Sequence, residues 1–142
     1  MIVKNILARK GSNVTTINPT ADVIGAAKLM GERGIGAVVV LGADHRIVGI
    51  LSERDIVRAL AEHGLAMSSE PVSKVMTRKV KTCSDDDAIG DLMARMTTGR
   101  FRHLPVVRQG KLIGIVSIGD VVKSRVEEIV QEAKMIREYI QS

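Results

Sequence analysis

The string Gly49-Ile50-Leu51-Ser52-Glu53-Arg54-Asp55-Ile56-Val57 returns 65 residues later as Gly114-Ile115-Val116-Ser117-Ile118-Gly119-Asp120-Val121-Val122, with its small, apolar, hydroxyl and carboxylate positions in the same order. The chain is an internal duplication. This constrains the fold more than any single residue does, because two copies of one unit can bury against each other and build matching clefts at their junction. Function is expected at that junction.

Upstream, Val14-Thr15-Thr16-Ile17 matches Val80-Lys81-Thr82-Cys83 at an offset of 66, and the match runs through Met30 and Met96 to Val40 and Val106. One residue is then lost in a turn, Gly42-Ala43-Asp44-His45-Arg46 against Arg108-Gln109-Gly110-Lys111. The repeats therefore span 14 to 62 and 80 to 125. The chain divides into a first repeat with its N-terminal segment (1–63), a linker (64–71), a second repeat (72–125) and a C-terminal helical extension (126–142).

Each repeat carries the same local signals. An extended run, Val14 to Ile17 or Val80 to Cys83, precedes a polar stretch, Asn18 to Asp22 or Ser84 to Asp87, suited to capping a helix start. Val23, Ala26, Ala27 and Met30, then Ile89, Leu92, Met93 and Met96, recur at helical spacing, and Gly34 and Gly99 should stop those helices. Two apolar runs follow in each half, Ala37 to Leu41 with Ile47 to Leu51, and Leu104 to Val107 with Leu112 to Val116; they predict hairpins of buried strands. A second helix begins after Ser52 or Ser117. Leu65 to Glu70 shows neither period and reads as the linker. The next stretch, Val72-Ser73-Lys74-Val75-Met76-Thr77, has a counterpart in Val3-Lys4-Asn5-Ile6-Leu7-Ala8, after which the first half carries the extra residues Gly11-Ser12-Asn13. The prediction is an α/β (α+β) fold of two β-α-β-β-α units. From Val122 through Val126, Ile129, Ala133, Ile136 and Ile140 the apolar spacing predicts a long amphipathic helix, packed on its own domain or paired with a second subunit.

Composition narrows the function classes. Of 142 residues, 45% are hydrophobic and 26% charged, a globular balance, and the only aromatics are Phe101 and Tyr139, which leaves few stacking platforms. The net charge of +5 is spread from Lys4 to Arg137 without a dominant run, and Arg78-Lys79-Val80-Lys81 is followed by Asp85-Asp86-Asp87, so nucleic acid is not the expected partner. No window can span a bilayer and no apolar leader opens the chain, which points to the cytoplasm. Cys83 is the sole cysteine, so no intramolecular disulfide or thiolate-rich metal site forms, and it reads as a small buried hydrophobe. His45, His63 and His103 lack metal-ligand spacing, and no nucleophile pairs with a base and orienter, so no enzyme is expected. Gly31-Glu32-Arg33-Gly34-Ile35-Gly36 follows a helix and precedes a strand, the wrong context for a dinucleotide loop.

The candidate chemistry lies where a strand passes into a helix: Ser52 with Asp55, and Ser117 with Asp120. A carboxylate can accept both vicinal hydroxyls of a ribose, while a serine hydroxyl and first-turn amides suit a phosphate. The same residues also fit a plain helix cap with a favourable first-turn charge.

With Val75-Met76-Thr77, Arg102-His103-Leu104-Pro105-Val106-Val107 and Gly114-Ile115-Val116-Ser117-Ile118-Gly119-Asp120, the paired pattern resembles a tandem cystathionine β-synthase (CBS) domain pair, or Bateman module. The resemblance covers all but the C-terminal helix and fits the second repeat better. It implies pseudo-twofold symmetry and clefts for adenosine-containing ligands: AMP or a related adenine nucleotide, S-adenosylmethionine, or NAD(H). It also implies regulation of a separate partner rather than catalysis, and a homodimer. By position, Asp55 and Asp120 would hold ribose hydroxyls, Ser52 and Ser117 would lie near the sugar-phosphate, and Thr16-Ile17 and Thr82-Cys83 would border adenine. Arg102, His103, Leu104 and Pro105 would wall one cleft where Gly36-Ala37-Val38-Val39 walls the other. Arg102 and His103 would favour phosphate, or are a solvent-facing arginine and a structural histidine. Glu53-Arg54 stands where the other half has Ile118-Gly119, and Arg54 could engage a phosphate; the two clefts should therefore differ. The competing reading is a protein-assembly module with degenerate clefts.

Overall fold

The computed structural model describes residues 1–142, which form two compact units: Val14–Lys81, and Met1–Asn13 together with Thr82–Ser142. The N-terminal segment, placed in sequence with the first repeat, thus packs in the unit built by the second. Backbone bonds explain this. Val3 and Lys4 donate to the carbonyls of Asp87 and Asp85, and Ile89 donates to Met1. In the other unit Val72 and Ser73 donate to Ala21 and Pro19, and Val23 donates to Glu70, the same pattern at equivalent positions. Each leading segment satisfies the free amide at the start of a helix in the repeat that is not its sequence neighbour. The counterpart relation between Val3–Ala8 and Val72–Thr77 is therefore a structural one, although Val3–Lys10 is an α-helix, α1, and Val72–Lys74 only a 3₁₀ turn.

In the Val14–Lys81 unit, β1 (Thr16–Ile17) leads to α2 (Val23–Arg33), β2 (Ala37–Leu41), β3 (Ile47–Ser52) and α3 (Glu53–His63). The sheet order is β1-β2-β3, with β1 parallel and β3 antiparallel to β2. Asp22 caps α2 by accepting from the Gly25 amide at 2.8 Å, and Gly34 ends it in the left-handed region at φ 63°. The predicted face of α2, Val23, Ala26 and Met30, packs with Val38, Val40, Leu51 and Ile56 and with Val72 and Met76 of the leading segment. Leu65–Ser69, within the segment read as the linker, forms a 3₁₀ turn.

The other unit has α1, α4 (Ile89–Gly99), β4 (His103–Arg108), β5 (Lys111–Ser117) and α5 (Ile118–Gln141). Val3 and Ile6 join Ile89, Leu92, Met96, Leu104, Val106, Val116 and Val121 in its core. Gln109 and Gly110 both take positive φ, 51° and 77°, giving the tight two-residue turn that shortens this hairpin.

Three sequence expectations are corrected here. The strand predicted over Val80–Cys83 is a single bridge, Cys83 to Val106. In the first repeat the Val39 amide donates to the Thr15 carbonyl; its counterpart is Pro105, which has no N–H, so the ladder loses that rung. Second, α4 lacks a side-chain cap, because Ala88 stands where Asp22 caps α2. Third, Gly99 does not take the left-handed position at the end of α4. Arg100 does, at φ 57°, and a Cβ on Gly99 would come 2.3 Å from the Phe101 ring, so that glycine serves close approach instead. The expected long C-terminal helix is present: α5 runs unbroken from Ile118 to Gln141.

Candidate functional site

In both units an antiparallel hairpin delivers the serine to the first turn of a helix. Ala37 pairs with Ser52 across β2 and β3, and His103 pairs with Ser117 across β4 and β5. The Glu53 amide donates to the Gly36 carbonyl at 3.0 Å, and Ile118 donates to Arg102 at 2.8 Å, tying each helix start to the strand beside it. The structure thus brings together Ala37, Ser52 and Asp55 in one unit and His103, Ser117 and Asp120 in the other. Ile17 lies one strand further out, paired with Val40, and Cys83 bridges Val106 at the matching place. Leu104 and Pro105 are buried in β4, so Pro105 offers a wall rather than a polar contact. Thr16, Thr82, Arg54 and Arg102 are exposed.

The serine and aspartate of each motif form a capping box. Asp55 Oδ2 accepts from the Ser52 amide at 2.9 Å and from its hydroxyl at 3.1 Å, while the Asp55 amide donates to Ser52 Oγ at 3.2 Å. Ser117 and Asp120 repeat the two backbone bonds at 2.9 and 3.1 Å. Two consequences follow for a ligand. The first and third helix amides are already engaged, leaving the second, on Arg54 or Gly119, to meet an anion. Each carboxylate also spends Oδ2 on the cap and keeps Oδ1, so the cap and the ribose readings of this pair are compatible.

The units diverge at the carboxylate. Lys10 Nζ, at the end of α1, lies 2.7 Å from Asp120 Oδ2 and 3.0 Å from the Ile115 carbonyl. Burial opposes ionisation of Asp120, but the hydrogen bond from Lys10, the Ser117 amide and the lysine charge outweigh it and hold the carboxyl below its ordinary range. Around Asp55 the matching carbonyl, Ile50, accepts instead from the Thr77 amide at 2.9 Å, and no cation pairs with the aspartate. Asp55 borders a depression of about 130 Å³ with Arg58, Glu62, His63 and Lys74. That space is well below the roughly 300 Å³ of a small-molecule pocket and takes a fragment of a ligand at most.

The opening glycine of each motif has a packing role. A Cβ on Gly49 would lie 2.4 Å from Met76 Sδ, and one on Gly114 2.6 Å from a Leu7 methyl, so each glycine admits a side chain of the docked leading segment. Cys83 is buried; desolvation, helped by the charge of Asp87 and opposed by Arg95, pushes its thiol up to about 12. Its side chain is an apolar part of the core beside the candidate adenine edge. Asp85 is buried and paired with Arg108, and Arg95 Nη2 donates to the Thr82 carbonyl at 2.9 Å. No three His, Cys, Asp or Glu side chains converge as a metal site, and no helix is long and apolar enough to cross a membrane.

Sequence reasoning missed Lys10, Arg95 and Arg108. A basic last turn was visible in Arg9-Lys10, but which aspartate it meets depends on where α1 docks.

The family model for the CBS domain matches twice, over residues 3–62 and 72–127. The chain belongs to the CBS-domain family. Its fold is similar to that of the CBS-domain containing protein ATU1752 from Agrobacterium tumefaciens, with a TM-score of 0.85 and 47% identity over 87% of this chain and 92% of that one. It is also similar to CBS domain protein PAE2072 from Pyrobaculum aerophilum, which was solved complexed with AMP: TM-score 0.75, 27% identity, covering 84% of this chain and 89% of that chain. A 17.7 kDa protein of Acidianus ambivalens is 38% identical over 83% of this chain and 74% of its own length. CBSX3 of Arabidopsis thaliana is 37% identical over 84% of this chain, which spans only 60% of that protein. CBS-domain pairs of this kind are typically regulatory modules rather than enzymes.

Proposed function

We propose that this chain is a cytoplasmic sensor of adenine nucleotides, AMP or a relative including NAD(H), which reports their level to a separate protein and works as a homodimer without catalysing a reaction. The observation that carries this reading is the pair of capping-box aspartates, each with one carboxylate oxygen left over beside an open helix amide. That PAE2072, whose fold this chain shares, was solved complexed with AMP supports it. Asp55 and Asp120 accept the ribose hydroxyls, Ser52 and Ser117 stand near the sugar-phosphate, and Ile17 and Cys83 border the base with Thr16 and Thr82. Arg102 and His103 in one unit, and Arg54 in the other, face the phosphate side.

The first repeat is the more open site. Asp55 has no cation to displace, whereas a ribose approaching Asp120 competes with Lys10 for the same carboxylate. The resemblance fits the second repeat better, but Lys10 on the Asp120 carboxylate favours the first repeat as the site.

Titration calorimetry with AMP, ATP, NADH and adenosine tests the reading. Asp55→Ala should weaken AMP by 10- to 100-fold, the roughly 1 to 3 kcal/mol cost of leaving buried polar partners unsatisfied. Absence of heat and of thermal shift with every adenosine ligand would overturn it.

A further inference from the structure

The first turns of α5 are fastened to their unit: Val121 and Ser124 are buried, and Arg9 pairs with Glu127. Every residue from Ile129 to Ser142 is exposed, including Ile129, Val130, Ile136 and Ile140 at 50% or more. Isolated helical turns of this length are marginal in water, and an apolar stripe along them favours a partner.

The pattern says which partner. Val122, Ile129 and Ile136 alternate with Val126, Ala133 and Ile140 at spacings of four and three, the two seam positions of a heptad. On that assignment Glu132 and Arg137 flank the seam on opposite sides, five residues apart. This is the spacing at which a flanking residue of one helix meets its opposite number on a parallel copy. Neither makes an ion pair within the chain, although Asp120, Arg125, Glu127 and Glu128 nearer the body of the unit all do. In a parallel pair Glu132 meets the second copy's arginine and Arg137 its glutamate, so both contacts are attractive. In an antiparallel pair Glu132 faces Glu132 and Arg137 falls against Lys123, so both repel.

We infer that the distal half of α5 is a self-recognition surface that pairs two copies of this chain as a short parallel coiled coil, its direction chosen by Glu132 and Arg137. This rests on the homodimer reading above, independently of any nucleotide, and it names the surface. Two-fold symmetry makes each contact occur twice, so each reversed charge acts at two places.

Sedimentation or light scattering on the full chain reads the outcome. The wild type should be a dimer, Ile136→Asp a folded monomer by circular dichroism, and Glu132→Arg a dimer weakened by roughly tenfold through two new repulsions. The double exchange Glu132→Arg with Arg137→Glu should restore wild-type affinity. Ile140→Cys in a Cys83→Ala background should oxidise to a linked dimer, because parallel strands bring the two cysteines together. In the antiparallel arrangement they lie about 27 Å apart at 1.5 Å per residue, and no link forms. A monomeric wild type would overturn both the homodimer reading and this one. A dimer indifferent to Ile136→Asp, or one that fails to crosslink at position 140, would overturn this inference alone.

Discussion

Replacing Lys10 by methionine keeps the side-chain stem and removes the one cation facing Asp120. The ammonium lies 2.7 Å from the carboxylate, with the two side chains 35% and 26% exposed. At that separation the attraction is about 1.5 kcal/mol even at the dielectric constant of water. Ordering a lysine offsets part of it, and solvent screens the pair as it does other half-exposed ones. With the bond to the Ile115 carbonyl also lost, Lys10→Met should destabilise the fold by about 1 kcal/mol at pH 7. The sign with pH follows from the carboxyl. Asp120 is held below its ordinary range in the folded state, so its contribution is complete above the unfolded value near pH 4 and is lost as pH falls through the folded one. Urea unfolding of the two proteins should therefore differ at pH 7 and converge towards pH 2, and the Asp120 carboxyl, followed by NMR, should titrate higher in the variant. A stability difference that persists unchanged to pH 2, or an Asp120 titration that ignores the substitution, would refute the pairing as the dominant interaction of this carboxylate.

Three further outcomes follow from packing and burial. Gly49→Ala should cost more than Gly114→Ala in thermal unfolding, both within the roughly 1 to 3 kcal/mol of overpacking. At Gly49 the new methyl meets the Thr77 carbonyl at 3.1 Å as well as Met76, while at Gly114 it meets only the mobile end of Leu7, and Leu7→Ala should rescue that variant. Arg108→Met leaves the Asp85 carboxylate buried without its partner and should lower stability by about 2 kcal/mol at neutral pH, a figure reduced from that of a fully buried pair because the arginine is half exposed. With its thiol near 12 and its sulfur in the core, Cys83 should resist a disulfide reagent at pH 8 in the native protein and react only at the rate of unfolding; prompt labelling would contradict the burial.

The periodic parts of this fold are legible in the sequence because local forces decide them. The stripe of Val23, Ala26 and Met30 and that of Ile89, Leu92 and Met96 are the buried faces of α2 and α4, and the strands of both hairpins fall where apolar runs meet turn residues. Position-specific chemistry carries less far. The repeat suggests equal first strands, yet one proline, Pro105, removes a donor and reduces the second to a bridge. Ser52 with Asp55 poses a choice between cap and ligand site, and only the folded geometry shows that the cap uses one carboxylate oxygen and leaves the other. Least legible is the docking of Met1–Asn13, since sequence adjacency assigns it to the repeat it precedes, whereas the open amide of Ile89 draws it to the other.

That docking is also what breaks the symmetry of the two candidate sites. Equivalent segments precede both repeats, and both carry a lysine near their end, Lys10 in one and Lys79 in the other. The segment before the second repeat makes a single 3₁₀ turn over Val72–Lys74 and then continues through a turn and bends, with Thr77 exchanging backbone bonds with Ile50, and Lys79 makes no ion pair with Asp55. The segment before the first repeat winds as α1 to Lys10, and Gly11, at φ 93°, turns the chain away from the helix end. The extra residues Gly11-Ser12-Asn13 give the chain the length to make that turn and still enter β1. Helical winding puts Lys10 over the Ile115 carbonyl and against Asp120, in the place that Thr77 fills with its backbone in the other unit. A three-residue difference outside the repeats thus places a charge beside one aspartate and not the other, and two nearly identical motifs acquire different electrostatics without a change in the motif itself.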